Sequence, residues 1–142
     1  MTLYLDTSAL VKLYVEEVGS FDVRQLLARA RRVGTSRITY VEARAAFAWR
    51  QREGTLPKER YVEIVRSLER EWETYLLLEV TVRIIRVAGD LAEQHALRAY
   101  DAIQLATALS IRSEATVEFI AADGQLIAAA VKEGLSTQQV PA

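Results

Sequence analysis

The sequence predicts an α/β protein, a three-layer α/β/α sandwich in which a mostly parallel β-sheet lies between two layers of helices. Short apolar segments that suit buried strands alternate along the chain with longer segments whose apolar residues recur at helical spacing. The chain has 142 residues, the size of one ordinary domain, so we expect a single domain over residues 1–142. Right-handed crossovers would bring the carboxyl ends of the strands to one edge, where such sheets bind ligands.

Four segments are predicted as strands: 2–5, 79–87, 116–122 and 135–140. A fifth segment, 35–39, is predicted as a short strand or an extended piece. Seven segments have helical periodicity: 8–17, 20–34, 39–54, 57–78, 88–99, 100–113 and 123–134. Gly34 and Gly54 are expected to end two of these helices. The helix over 57–78 carries Tyr61, Trp72 and Tyr75 on one face, which favours either core packing or a partner surface.

The composition excludes several classes of protein. It is 51% hydrophobic and 26% charged, which is typical of a globular protein, and no apolar run approaches the roughly 18 residues of a membrane span. There is no secretory leader pattern and no cysteine, so we expect a cytoplasmic protein without disulfides or cysteine-rich zinc sites. A lone histidine, His95, leaves little room for histidine-based metal sites or for a serine-histidine triad, and any metal would be held by oxygen.

The charge distribution is uneven although the formal net charge is only -1. Such a total argues against a uniformly basic nucleic-acid binder. Basic residues nevertheless cluster in segments 26–37 and 42–52, where they form either solvated helix faces or a local surface for a polyanion.

Four acidic residues occupy positions that can meet at the carboxyl edge of the sheet. Asp6 and Asp123 each follow an apolar strand and precede a helix, Glu42 lies in the first turn of a helix, and Asp101 opens another. Each has an ordinary explanation, because carboxylates at helix N-termini accept backbone N-H bonds and Glu42 has capping-box spacing from Thr39. Gathered together, carboxylates repel one another, whereas divalent cations prefer oxygen ligands and promote phosphodiester hydrolysis. Spacing alone leaves capping and a metal site both open.

Four segments together resemble the PIN-domain family of ribonucleases and, within it, the VapC-type toxins of toxin-antitoxin pairs. They occur in the family's order and spacing over essentially the whole chain: LYLDTSALVKLY, TSRITYVEARAAF, LRAYDAIQLATAL and VEFIAADGQLIAAAVKEGL. The resemblance implies a PIN-like parallel five-stranded sheet between helices, and an acidic pocket that binds Mg²⁺ or Mn²⁺ and hydrolyses single-stranded RNA. The acids of the family's pocket fall on Asp6, Glu42, Asp101 and Asp123.

The resemblance also implies how these acids act. Asp6, Asp101 and Glu42 would hold the principal metal ion, and Asp123 would hold a second ion directly or through water. A metal-activated water would attack the phosphorus and leave a 5′-phosphate and a 3′-hydroxyl. No side-chain nucleophile is needed in this scheme.

Other residues are expected to support the same reaction. The family's early hydroxyl falls on Thr7 or Ser8, which would orient the carboxylates or the substrate, or else cap the helix locally. Three basic residues near the acids in sequence are candidates for RNA-phosphate contacts: Lys12, Arg44 and Arg98. The expected partners are the RNA substrate, a cognate antitoxin and a second copy of the chain in a homodimer; no membrane is expected.

Three alternatives stay open at this point. In a phosphoryl-transfer or receiver-like protein, Asp6 would accept the phosphoryl group, but Ser8 stands where the haloacid-dehalogenase motif has its second aspartate, and the acids and late lysine of a receiver are not found. The PIN fold could also serve as a non-catalytic module that binds RNA or protein. It could equally belong to a housekeeping nuclease without an antitoxin.

Overall fold

Five parallel strands form one sheet in the computed structural model, which describes residues 1–142. The strands are β1 (Thr2–Leu5), β2 (Arg32–Ser36), β3 (Leu76–Leu78), β4 (Val117–Ala121) and β5 (Ser136–Gln139). The helices are α1 (Thr7–Val11), α2 (Ser20–Ala28), α3 (Ile38–Arg52), α4 (Lys58–Glu71), α5 (Val82–His95), α6 (Ala99–Ser110) and α7 (Gly124–Lys132), with a 3-10 turn at Trp72–Thr74. The strand order is β3-β2-β1-β4-β5, and all neighbours are parallel. The predicted fold class is confirmed.

The side chains of the sheet alternate between two hydrophobic cores, one on each face. Leu3 and Leu5 of β1 lie in the core that α1 to α4 cover, whereas Tyr4 lies in the core formed with α5 to α7. The ring of Tyr4 stacks on Phe119 of the neighbouring strand, with 5.6 Å between the centroids. Because successive strand residues point to opposite faces, this alternation produces the three layers.

The second strand begins earlier than predicted. β2 covers Arg32–Ser36 rather than 35–39, and α2 ends at Ala28 rather than at Gly34. Gly34 lies within β2, where a Cβ atom would come within 3.4 Å of the Leu76 carbonyl oxygen on β3. Since 3.4 Å is an ordinary van der Waals distance, the strand does not require a glycine here, and Gly34 does not end a helix.

The predicted strand over 79–87 is wrong. β3 is the preceding Leu76–Leu78, and most of the predicted segment forms the beginning of α5. Thr81 caps this helix, since its hydroxyl accepts a hydrogen bond from the backbone N-H of Ile84 at 3.2 Å. Buried Ile84, Ala88 and Leu91 then follow at helical spacing, so packing against the core outweighs the local alternation of polarity.

The aromatic face of α4 and the turn after it belongs to the core. Trp72 is 7% exposed, and its ring lies 5.4 Å from that of Tyr40 and 6.1 Å from that of Tyr75. The structure therefore favours core packing over a partner surface for these residues. None of the helices is both long and apolar enough to cross a membrane.

The chain reverses its direction of winding across the sheet at β1. From β1 it continues to β2 on one side, while β4 lies on the other side of β1. Asp6 N-H donates to the Ile120 carbonyl at 3.1 Å, and Ala122 N-H donates to the Ser8 hydroxyl at 3.0 Å. The carboxyl ends of β1 and β4 are thus joined at a topological switch point, the usual ligand-binding position in open α/β sheets.

Candidate active site

Asp6 occupies the switch point itself, directly after β1. Its side chain is the N-cap of α1: Oδ1 accepts hydrogen bonds from Ala9 N-H at 3.0 Å and from the Ser8 hydroxyl at 2.7 Å. The residue is only 4% exposed. Both hydrogen bonds go to the same oxygen, so Oδ2 is the one available to a further ligand. Asp6 is therefore a cap, as its sequence position suggested, and also a buried carboxylate at the binding edge.

Asp123 and Asp101 lie at the N-terminal ends of α7 and α6. Asp123 caps α7 through Oδ1, which accepts from the backbone N-H groups of Gln125 at 2.8 Å and Leu126 at 3.3 Å. The Oδ2 atoms of Asp101 and Asp123 lie 3.6 and 3.9 Å from the guanidinium of Arg98. This guanidinium, 86% exposed, places a positive charge between the two acids.

Glu42 lies on α3, which packs on the other face of the sheet from α6 and α7. The interpretation of Glu42 as part of a capping box is wrong. α3 begins at Ile38 without a side-chain cap, and Glu42 Oε1 instead accepts from the Thr7 hydroxyl at 2.6 Å and from the Gln104 amide at 2.9 Å. The Thr39 hydroxyl likewise turns inward and accepts from Gln104 at 2.9 Å. Tertiary hydrogen bonds have replaced the local ones that the sequence spacing suggested.

The buried carboxyl of Asp6 is strongly perturbed. Burial raises the pKa of Asp6 to about 7, although the hydrogen bonds from Ser8 and Ala9 lower it. The negative charges of Asp101 and Glu42 are smaller contributions to this same rise. Near neutral pH, this carboxylate is thus held ionised at a cost in free energy that a nearby cation would offset.

Asp101 experiences the same accumulation of charge. Burial raises the pKa of Asp101, the Arg98 guanidinium lowers it, and the carboxylates of Asp123 and Glu42 raise it. The acids at three helix starts and the acid on α3 therefore form one negative region at the switch point. Clustered, perturbed acids of this kind are typical of functional sites.

The donor chemistry of this region suits a hard divalent cation. All four acids offer oxygen, and on Asp6 and Glu42 the hydrogen bonds occupy one carboxylate oxygen each, Oδ1 and Oε1. In the present arrangement no three acid or histidine side chains lie close enough together to hold one ion. Binding would require the carboxylates to converge further, with Arg98 moving from between Asp101 and Asp123.

Two of the three predicted phosphate contacts, Lys12 and Arg44, already pair with other residues of the protein. Lys12 is 5% exposed, and its ammonium donates to the Val18 carbonyl at 2.7 Å and pairs with Glu17 at 3.4 Å. Arg44 donates to the Tyr40 hydroxyl at 2.6 Å and faces Glu69 of α4 at 3.7 Å. Both side chains hold neighbouring segments together, so they are not carried into the RNA surface proposed below, whereas Arg98 is.

Sequence reasoning missed Gln104. This residue is 2% exposed and lies one helical turn after Asp101, among the buried Ala102, Leu105 and Ala106 of α6. A glutamine on the apolar face of a helix is the pattern that could have revealed it, because a buried amide requires hydrogen-bond partners.

Fold and site together define an α/β protein with a cluster of acidic residues at its switch point, and comparisons with known proteins agree. Residues 3–133 match the family model of the PIN domain. Ribonuclease VapC45 and Ribonuclease VapC49 of Mycobacterium tuberculosis strains are each 37% identical over 109 residues, which cover 77% of this chain and 76% of the relative. A solved toxin-antitoxin complex from Klebsiella pneumoniae has a similar fold: the TM-score is 0.63 and the identity 20%, over 85% of this chain and 86% of the other.

The chain therefore belongs to the PIN domain family, and within it to the VapC type. The resemblance inferred from the four sequence segments is confirmed.

Proposed function

We propose that this protein is a ribonuclease that cleaves single-stranded RNA with the help of Mg²⁺ or Mn²⁺ and acts as the toxin of a toxin-antitoxin pair. The observation that carries the proposal is the buried, perturbed Asp6, which shares one negative region with Glu42, Asp101 and Asp123 at the switch point. The names of the two curated relatives, both ribonucleases, support the reaction class.

The four acids would hold metal ions at two positions. Asp6, Glu42 and Asp101 would hold the principal ion, with Asp123 at a second position; Oδ2 of Asp6 and Oε2 of Glu42 are the oxygens their hydrogen bonds leave available. A bound Mg²⁺ or Mn²⁺ would supply a nucleophilic water and would stabilise the charge that develops on the leaving oxygen.

The hydroxyls and the exposed arginine of the site have supporting roles. Thr7 holds Glu42 and Ser8 holds Asp6, so both hydroxyls fix carboxylates that would otherwise rotate. Arg98 keeps two acids compensated in the absence of a divalent ion. Once released from them, its exposed guanidinium is well placed to pair with an RNA phosphate beside the acids.

The proposed partners follow from the family. The similar Klebsiella structure is described as a toxin-antitoxin complex, which supports a cognate antitoxin for this chain as well. We further propose a homodimer and a cytoplasmic location, where RNA is available. We also propose a single functional domain over residues 1–142, because all five strands of the chain form one sheet.

Brief induction of the protein in a bacterial host, followed by genome-wide mapping of transcript ends, tests the proposed function. The wild-type chain should slow growth and create new RNA ends at defined positions. Asp101→Asn should do neither, whereas Asp90→Asn, an exposed change on α5, should behave like wild type. Growth arrest with no new RNA ends, or new ends that persist in Asp101→Asn, would refute the proposal.

A further inference from the structure

A buried hydrogen-bond network connects the core of the sheet to Glu42 through the side chain of Gln104. On one side, the Tyr4 hydroxyl donates to Gln104 Oε1 at 2.6 Å. On the other side, Gln104 Nε2 lies 2.9 Å from Glu42 Oε1, 2.9 Å from Thr39 Oγ1 and 3.1 Å from Thr7 Oγ1. One amide therefore bridges α6 to α3 across the carboxyl edge of β1.

The chemistry of the partners fixes which way this amide points. An ionised carboxylate only accepts hydrogen bonds, so the NH₂ group must face Glu42 and the carbonyl oxygen must face the Tyr4 hydroxyl. A flipped amide would place its carbonyl oxygen against the carboxylate and leave the Tyr4 hydroxyl without an acceptor. At 2% exposure, bulk water does not reach this amide to compensate for such a loss.

The network also determines which oxygen of Glu42 is free. Oε1 accepts from both Gln104 and Thr7, so it is already occupied by two donors. Oε2 is the oxygen left for a cation, and the carboxylate cannot rotate to exchange the two atoms without breaking both hydrogen bonds.

We propose that Gln104 is a positioning residue of the acidic site, which holds Glu42 in the orientation that presents Oε2 to a divalent cation. The inference rests on the proposed function. It explains why a polar side chain lies at a buried position of α6 that an apolar residue would otherwise fill. Hydrogen bonds of this kind behind a ligand typically contribute about 10–100-fold to metal affinity.

Gln104→Met and Tyr4→Phe form a matched pair that separates positioning from packing. Gln104→Met keeps the approximate length and removes the donors to Glu42. Tyr4→Phe removes a hydrogen bond from the same buried network but leaves the contact between Gln104 and Glu42 in place. Both changes are expected to lower the melting temperature, so stability alone does not distinguish the two roles.

The measurement is Mn²⁺ binding to the purified full-length chain by isothermal titration calorimetry. Gln104→Met should raise the Kd by about 10–100-fold, and Tyr4→Phe should leave it at the wild-type value. If Gln104→Met fails to fold, the double variant with Tyr4→Phe replaces it, since removing both hydrogen-bond partners together avoids an unpaired buried group. The same rise in Kd is expected of the double variant.

The outcomes distinguish this inference from the function on which it rests. A wild-type chain that binds no Mn²⁺ overturns the proposed function and the inference with it. A wild-type chain that binds Mn²⁺, with an equal Kd for Gln104→Met, overturns the inference alone. Equal weakening in Gln104→Met and Tyr4→Phe also overturns it, because packing would then explain both.

Discussion

Replacing Asp6 by asparagine removes the only buried carboxylate of the chain while preserving its shape. The difference between a pKa of about 7 and the ordinary value of 3.8 corresponds to on the order of 4 kcal/mol in favour of the uncharged form. Asparagine still accepts the hydrogen bonds from Ser8 and Ala9 and caps a helix as well as aspartate does. Its amide adds N-H donors without clear partners, at a cost of about 1–2 kcal/mol. At pH 8 we expect Asp6→Asn to be more stable than wild type by about 2–3 kcal/mol.

The sign of the pH dependence follows from the direction of the pKa change. Because the pKa of Asp6 is raised in the folded protein, the folded state binds more protons than the unfolded state between about pH 4 and 7. Wild-type stability should therefore fall as the pH rises through this window. The advantage of Asp6→Asn should be largest at pH 8 and near zero at pH 5, where folded Asp6 is protonated.

Urea unfolding in EDTA, at a series of pH values, measures this difference. For a chain of this length, 2–3 kcal/mol corresponds to a rise in melting temperature of about 6–9 °C, which thermal unfolding should also show. Asp90→Asn on the exposed face of α5 serves as the control and should change neither quantity. An Asp6→Asn protein that is no more stable than wild type at pH 8, or equally stabilised at pH 5, would show that the charge of Asp6 does not destabilise the folded protein.

Three further predictions concern the cation, the arginine and the fold. Mn²⁺ at 100 times its Kd should add about 2.7 kcal/mol to the stability of wild type in thermal unfolding, and Asp101→Asn should lose most of this gain. Arg98→Gln should weaken RNA binding and reduce the slope of log K against log salt by about 1, measured by fluorescence anisotropy; an unchanged slope would mean that Arg98 contacts no phosphate. Gly19→Ala should lower the free energy of unfolding in urea by about 1–3 kcal/mol, and by more than Gly54→Ala does. Both glycines have positive φ, but only at Gly19 would a Cβ collide with the Pro141 carbonyl. Equal losses in the two variants would contradict this reasoning.

The positions of Asp6 and Asp123 could be predicted from the sequence because they depend on local pattern and general topology. Each acid follows an apolar strand, and parallel strands bring such positions to one edge. The adjacency of β1 and β4 in the sheet then brings these two strand ends together, which no local pattern reveals.

Other contacts depend on tertiary structure and could not be predicted from the sequence. Glu42 has the spacing of a capping box, yet hydrogen bonds from α1 and α6 direct it into the site. Arg44 is close to Glu42 in sequence, but two residues along a helix are on different faces, and Arg44 turns to α4. Gln104 lies in an apolar helix, and only the folded chain shows that its amide meets Tyr4 and Glu42.

The most direct test of the central claim is an RNA cleavage assay with the purified protein. We expect wild type to cleave single-stranded RNA with Mg²⁺ or Mn²⁺, to leave 5′-phosphate ends, and to be inactive in EDTA. Asp101→Asn should lose at least about 100-fold in rate, equivalent to roughly 2.7 kcal/mol of transition-state stabilisation, while keeping a wild-type circular dichroism spectrum. Cleavage that continues in EDTA, or that survives in Asp101→Asn at the wild-type rate, would contradict the account.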